Sequence, residues 1–153
     1  MELYFGTPLP QQVLNSLEKV SDDLLEDLRL WNKSKEEIIQ HIDDSCVDGL
    51  VYIAYRDGVS LLYMDKTPYT ISMTILASPD YNKNKIARFV TEVMEMFSDK
   101  TDIHKIEVFT ACPDIHYVMK KCGFVQEGTL VDSRRVPTGE FVDEFCYGYL
   151  IDV

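Results

Sequence analysis

We predict that this sequence folds as one α/β (α+β) domain, with a mixed sheet and helices on both faces. Segments with strand-like and helix-like patterns alternate along the chain, which is typical of that class. The chain has 153 residues, of which 46% are apolar, enough for one continuous core but cramped for two. No repeat, low-complexity tract or flexible linker divides it, so residues 1–153 are predicted to form a single domain.

The first third of the chain is predicted to be mainly helical. After a short apolar opening at Leu3–Phe5, apolar side chains recur at helical spacing from Val13 to Leu28. An interruption near Ser21 leaves open one long helix or two short ones. Ser34 followed by Glu37 has the spacing of a capping box, which predicts a further helix of about ten residues.

The middle of the chain predicts three strands. Segments Leu50–Tyr55 and Val59–Met64 are rich in β-branched and aromatic residues, and Arg56-Asp57-Gly58 lies between them. The glycine supplies the positive φ that a tight hairpin needs. Residues Thr70–Ile75 alternate polar and apolar side chains, which predicts a third strand of the same sheet.

The second half predicts a helix, a strand, a helix and a strand. A single apolar stripe marks a helix over Lys85–Phe97, the clearest in the chain. Strand-like patterns cover Lys105–Thr110 and Phe145–Ile151, and Asp114–Cys122 is predicted to be a short helix ended by Gly123. The order β-β-β-α-β-α-β implies the mixed sheet.

Charge and cysteine usage restrict the partners. Lys and Arg total 15 against 26 Asp and Glu, and the net charge of -11 repels nucleic acid and anionic membrane surfaces but attracts cationic amines or basic proteins. The same charge can equally serve solubility alone. The four cysteines and three histidines form no disulfide framework or metal-ligand pattern, so we expect no metal and a cytoplasmic location. No export signal or membrane-spanning run is expected either.

The second half also resembles the GNAT superfamily of acetyl-CoA-dependent N-acetyltransferases. The resemblance covers roughly residues 70–150, and its last motif is typical of members that acetylate ribosomal-protein N-termini or spermidine. The segments that carry it are Ser78-Pro79-Asp80-Tyr81, Lys120-Lys121-Cys122-Gly123-Phe124, Glu127-Gly128, and a G-x-F-x-D-x-x-x-Y ending at Gly139, Phe141, Asp143 and Tyr147.

The resemblance implies a mostly antiparallel sheet of six to seven strands and acetyl transfer from acetyl-CoA to a primary amine by direct attack. In that family the pantetheine arm lies between two splayed strands, and the pyrophosphate binds at the start of the following helix. The implied coenzyme-binding residues are Leu76, Ala77, Ser78, Asn82, Lys83, Asn84, Lys85, Ile86, Ala87 and Cys112.

This sequence departs from the family pattern at the coenzyme loop. Of residues 82–87 only Ala87 agrees with the family, and Lys85 replaces a glycine that lets the backbone approach the pyrophosphate. Lys83 and Lys85 can compensate by pairing with phosphate, or they are ordinary solvated lysines. Cys112 also stands where the family has Asn.

Three residues are candidates for proton transfer. The family's proton-donating Tyr aligns with Met119, whereas Tyr117 lies about 200° around the helix from it. Glu107 could act through water as a general base, and His116 could take that role. For each of them, a solvated surface side chain is the alternative.

Two other functions remain open at this stage. The resemblance allows a catalytically degenerate GNAT-like domain that acts as a binding or structural protein, as found among tailed-phage proteins. The charge also allows an acidic module that captures a basic protein without any coenzyme. Coenzyme binding separates these possibilities.

Overall fold

The computed structural model describes residues 1–30, 32–99, 102–136 and 138–151. Within these residues the helices are α1 (Gln11–Glu18), α2 (Asp22–Leu25), α3 (Lys35–Val47), α4 (Lys83–Ser98) and α5 (Pro113–Lys121). The strands are β1 (Glu2–Tyr4), β2 (Tyr52–Arg56), β3 (Val59–Thr67), β4 (Thr70–Leu76), β5 (Lys105–Thr110), β6 (Val125–Arg135) and β7 (Phe141–Leu150). No helix in this part of the chain combines the length and apolar character that crossing a bilayer requires.

The seven strands form a sheet in the order β1-β2-β3-β4-β5-β7-β6. Pairing is antiparallel between β1 and β2, β2 and β3, β5 and β7, and β6 and β7, whereas β4 and β5 are parallel. The predicted mixed, mostly antiparallel α/β sheet is therefore confirmed. Contacts divide the chain into unit 1 (Met1–Met64 and Thr74–Tyr81) and unit 2 (Asp65–Met73 and Asn82–Val153). The single domain stays a prediction.

In unit 1, helices α2 and α3 begin at the two capping residues that the sequence indicates. The interruption near Ser21 is confirmed as the start of α2, where the Ser21 hydroxyl accepts the Leu24 amide at 3.3 Å. The capping box of α3 is present, because Ser34 Oγ accepts the Glu37 amide and Glu37 Oε1 accepts the Ser34 amide. That helix runs for 13 residues, longer than predicted.

The β2–β3 hairpin of unit 1 turns on two residues. Arg56 pairs with Val59, so Asp57 and Gly58 form the loop, with φ of 48° and 95°. Positive φ at both positions is the geometry of a type I′ turn, which matches the right-handed twist of the flanking strands. The predicted hairpin is confirmed.

In unit 2, the apolar stripe that predicts α4 is buried in the structure. Ile86, Phe89, Val90, Val93, Met94 and Phe97 are all buried. The helix begins at Lys83, two residues earlier than predicted, because the Asn82 side chain caps it. β5 has the predicted bounds, and α5 covers most of the predicted helix before Gly123 takes a φ of 84°.

The predicted element order lacks two strands, the short β1 at the start of the chain and β6. Of the eleven residues of β6 only Arg134 is buried, so the strand has no apolar face and no period-two pattern to reveal it. Its pairing with β7 also shifts register between Gln126 and Gly128 and between Leu130 and Arg134. β7 begins at Phe141, four residues before the predicted Phe145, because it pairs with this strand.

Candidate active site

The first turn of α4 contains the residues predicted to bind the coenzyme pyrophosphate. Asn82 Oδ1 accepts the backbone amides of Asn84 at 2.8 Å and Lys85 at 3.3 Å. Residues 82–85 are exposed, whereas Ile86 and Ala87 are buried in the core. An anion at this helix end would meet the positive end of the helix dipole, but it would share two amides with the Asn82 cap.

α5 contacts this first turn through polar side chains. The Tyr117 hydroxyl donates to Asn84 Oδ1 at 2.9 Å. Lys83 Nζ lies 3.5 Å from Asp114 Oδ1 and 5.1 Å from the centre of the Tyr117 ring. Tyr117 is thus brought together with the predicted coenzyme loop. Met119 is 0% exposed while Tyr117 is 41% exposed, so the opposite orientations predicted from helical spacing are confirmed.

Within unit 2, the start of β4 pairs in parallel with β5. The pairs are Thr70↔Lys105, Ile71↔Ile106 and Ser72↔Glu107. Cys112 then caps α5, and its amide donates to Thr110 Oγ1 at 3.1 Å.

The remaining predicted coenzyme residues belong to unit 1. Leu76 and Ala77 are buried at the end of β4. Ser78 is partly exposed, and its hydroxyl accepts the Asp80 amide at 3.4 Å. Their role in coenzyme binding stays a prediction.

Glu107 is held by two lysines. Lys66 Nζ lies 2.6 Å from Oε2 and Lys105 Nζ lies 3.5 Å from Oε1. The hydrogen bond from Lys66, together with the charges of both lysines, holds the pKa of the Glu107 carboxyl below its ordinary value despite partial burial. Both carboxylate oxygens already face a lysine, so a water or an amine would have to displace one of these lysines before Glu107 could act as a general base.

His116 forms a hydrogen-bonded pair with a buried tyrosine. Its Nδ1 lies 2.6 Å from the Tyr147 hydroxyl, and the Phe145 ring meets the imidazole edge-on with centroids 4.4 Å apart. Burial, with a smaller effect of Lys120, lowers the pKa of His116, and burial raises the pKa of Tyr147. Both groups are therefore neutral near pH 7.

The pair borders a cavity of about 750 Å³ within unit 2. Strand β7 lines one side through Phe141, Asp143, Phe145 and Tyr147, which share a face because side chains alternate along a strand. A bulge in β6 adds Asp132, which has a φ of 48° and whose amide donates to Asp143 Oδ1 at 2.9 Å. The fold thus assembles two carboxylates, three aromatic rings and an imidazole around one space.

No protein-family model matches the sequence, and no relative is found among curated proteins. Solved structures do match. A GNAT-family acetyltransferase from Bacillus anthracis is 14% identical with a TM-score of 0.69, over 94% of this chain and 92% of that one. Spermidine N-acetyltransferase from Vibrio cholerae, in complex with CoA and spermine, is 16% identical with a TM-score of 0.69, over 98% and 95% of the two chains.

A ribosomal-protein-alanine N-acetyltransferase from Brucella melitensis is also similar, with 17% identity and a TM-score of 0.65 over 98% of this chain and 99% of that one. The chain has the GNAT fold. Identities of this size establish the fold alone, so activity has to be argued from the site.

Within this GNAT fold, the predicted site residues fall into separate groups. Tyr117 lies with Asn84, Glu107 lies with lysines, and His116 lies with Tyr147. Sequence reasoning assigned no role to Tyr147, Asp132 or Asp143. The signal for two of them was available, since Asp143 and Tyr147 occupy fixed positions of the G-x-F-x-D-x-x-x-Y ending. In the described part of the chain, no group of three or more His, Cys, Asp or Glu is placed to hold a metal ion.

Proposed function

We propose that the chain is an acetyl-CoA-dependent N-acetyltransferase that transfers acetyl to a primary amine of a protein N-terminus, a lysine or a polyamine. The observation that carries this proposal is the first turn of α4, where two exposed lysines stand at a capped helix start and Tyr117 contacts Asn84. The pantetheine arm of the coenzyme carries amides that can pair with the backbone of a strand such as β5.

The first turn of α4 supplies the complementary pyrophosphate contacts. Lys83 and Lys85 add two cations at a helix end that already favours anions. A diphosphate takes over the amides of Asn84 and Lys85 by displacing the Asn82 carboxamide, an exchange of one oxygen acceptor for another. Direct attack by the amine then needs only a positioned thioester and a path for protons.

The proposed acceptor is cationic and the proposed location is the cytoplasm. Two structural neighbours are described as acting on spermidine and on a ribosomal protein. The net charge of -11 would concentrate such cations around the molecule. No metal is needed, because main-chain groups and side chains can polarise the thioester and move the protons.

The test of this proposal combines binding with turnover. A ligand that binds only the folded protein stabilises it by about 2.7 kcal/mol at a hundredfold excess over its Kd, so acetyl-CoA should raise the Tm. Pantetheine, which lacks the pyrophosphate, should raise it much less. Release of free CoA thiol in the presence of a diamine reports the reaction. Absence of both a Tm shift and thiol release at millimolar acetyl-CoA would overturn the proposal.

A non-catalytic binding domain is the second candidate, and two observations favour it. The Asn82 side chain already satisfies two amides of the coenzyme loop, and the family's tyrosine position is filled by the buried Met119. Both features are expected in a domain that no longer binds the coenzyme. It predicts no effect of acetyl-CoA on the Tm.

Lys85→Ala distinguishes the acetyltransferase from the non-catalytic binding domain. If Lys85 pairs with pyrophosphate, its loss should weaken acetyl-CoA binding by about 1.5–3 kcal/mol, or tenfold and more, with little change in stability. Calorimetric titration measures the effect. Lys33→Ala, which removes an exposed lysine of unit 1, is the matched control and should bind normally.

Lys85→Gly restores the family residue and tests the opposite idea. It should lower helix stability by about 1 kcal/mol because glycine is a poor helix former. Tighter acetyl-CoA binding by this variant than by the wild type would show that the lysine obstructs the coenzyme.

A further inference from the structure

The cavity beside His116 has the electrostatic character of an ammonium site. Its lining includes the carboxylates of Asp132 and Asp143 and one lysine, Lys120, while the imidazole is neutral near pH 7. The backbone amide of Asp132 donates to Asp143 Oδ1 at 2.9 Å, so the Asp143 carboxylate is held against the bulge of β6. The fixed charges of the lining therefore favour a cation.

Aromatic rings complete the lining. Phe141, Phe145 and Tyr147 all border the space, and Phe141 remains 61% exposed. Ring faces attract ammonium groups and pack against alkyl chains, which matches an aliphatic amine better than an anion.

The cavity also adjoins the strand edge proposed for the coenzyme. Ala111 directly follows β5 and lines the cavity. A pantetheine arm that follows β5 past Glu107 would therefore deliver its thioester toward this space. The inference that follows rests on the proposed function.

We infer that this cavity is the acceptor subsite, in which Asp132 and Asp143 hold the ammonium group of an aliphatic amine and His116 takes its proton. In the tautomer required, His116 donates its Nδ1 proton to the Tyr147 oxygen, and Nε2 is the proton acceptor. Tyr147 is a positioning residue, because it fixes the ring and the tautomer. The other charged and titratable groups that line the cavity are Lys120 on the same helix, Asp143 and Tyr147 on β7, and Asp132 on β6.

The chemical step transfers one acetyl group and releases one proton. The bound ammonium group loses one proton to His116 Nε2, and the resulting amine attacks the carbonyl carbon of the thioester. A carbon–nitrogen bond forms, the carbon–sulfur bond breaks, and the second nitrogen proton passes to the departing sulfur. His116 then releases its proton to solvent. The products are the N-acetylated amine, CoA thiol and one proton.

A binding experiment tests the subsite without turnover. Titration of the apo protein with 1,4-diaminobutane, followed by NMR, should shift the His116 and Phe145 resonances. Asp143→Asn keeps the acceptor oxygen for the Asp132 amide but removes the charge, and it should weaken binding at least tenfold. Asp65→Asn, at an exposed site of β3, is the control and should bind like the wild type. No shift at the cavity residues, or equal binding by Asp143→Asn, overturns the subsite.

A kinetic experiment tests the proton acceptor. His116→Gln should reduce kcat/KM for the diamine by about 10²–10⁴-fold, the usual contribution of a positioned acid or base. In the wild type the acid limb of kcat/KM should lie below the ordinary histidine pKa of about 6.5, because burial lowers the pKa of His116. Lys120→Ala removes a charge that lowers this pKa, so it should move the limb to higher pH.

Tyr147→Phe distinguishes positioning from packing. Loss of the hydroxyl should shift the acid limb and reduce kcat while the Tm changes little. Unchanged kcat/KM in His116→Gln, when the wild type turns over, overturns the inference and leaves the proposed function intact. Diamine binding without any turnover by the wild type overturns the proposed function and, with it, the role of His116.

Discussion

Glu144→Gln should lower the free energy of unfolding by about 3–5 kcal/mol, the usual effect of breaking a buried ion pair. Arg134 Nη2 lies 2.6 Å from Glu144 Oε2, and both side chains are 1% exposed. The neutral amide removes the negative charge that faces the buried guanidinium at this contact. Urea unfolding followed by circular dichroism measures the change.

Two further variants identify the cause. Glu140→Gln changes an exposed carboxylate just before the same strand and should stay within about 0.5 kcal/mol of the wild type. Arg134→Met combined with Glu144→Leu removes both charges and should recover much of the loss, because apolar replacement of a whole buried pair is often neutral. A double variant no more stable than Glu144→Gln would contradict this account.

Met119→Ala should lower the free energy of unfolding by about 2–5 kcal/mol, since Met119 is fully buried and its loss leaves a cavity. This position aligns with the family's proton-donating tyrosine, so the measurement also shows whether it serves the core. Thermal and urea unfolding give the value.

The control lies two residues away on α5. Tyr117→Phe loses one hydrogen bond to Asn84 at an exposed position and should change stability by no more than about 0.5–1.5 kcal/mol. Similar losses for both variants would contradict the opposite orientations of these two side chains.

The sequence predicts elements whose signals are local. The stripe of α4, the capping box at Ser34 and the Asp57-Gly58 turn each depend on neighbours within a few residues, and all three are confirmed. β6 was not predicted, because it has no such local signal. Nearly all of its side chains are exposed, so its sequence shows no period-two pattern, and the strand is defined by its pairing with β7.

The site is harder to predict, because distant pairs decide its chemistry. Lys66 reaches Glu107 across 41 positions and lowers its basicity, and His116 meets Tyr147 across 31. No pattern within one element contains such partners. The bulge that brings Asp132 to Asp143 could not be predicted either, since no residue pattern in the sequence marks an aspartate that adopts a positive φ.

Strand β6 lies at an edge of the sheet, where a strand can pair with another molecule in concentrated solution. A long, flat strand at the rim of a sheet offers unpaired amides and carbonyls to any other chain, and such rims seed aggregation. Here the register shifts after Gln126 and Leu130 break the regular repeat, and Arg135 and Glu127 place charge on the exposed surface. The same irregularity that positions Asp132 is thus one of the features by which proteins in general discourage strand-to-strand pairing at an exposed edge.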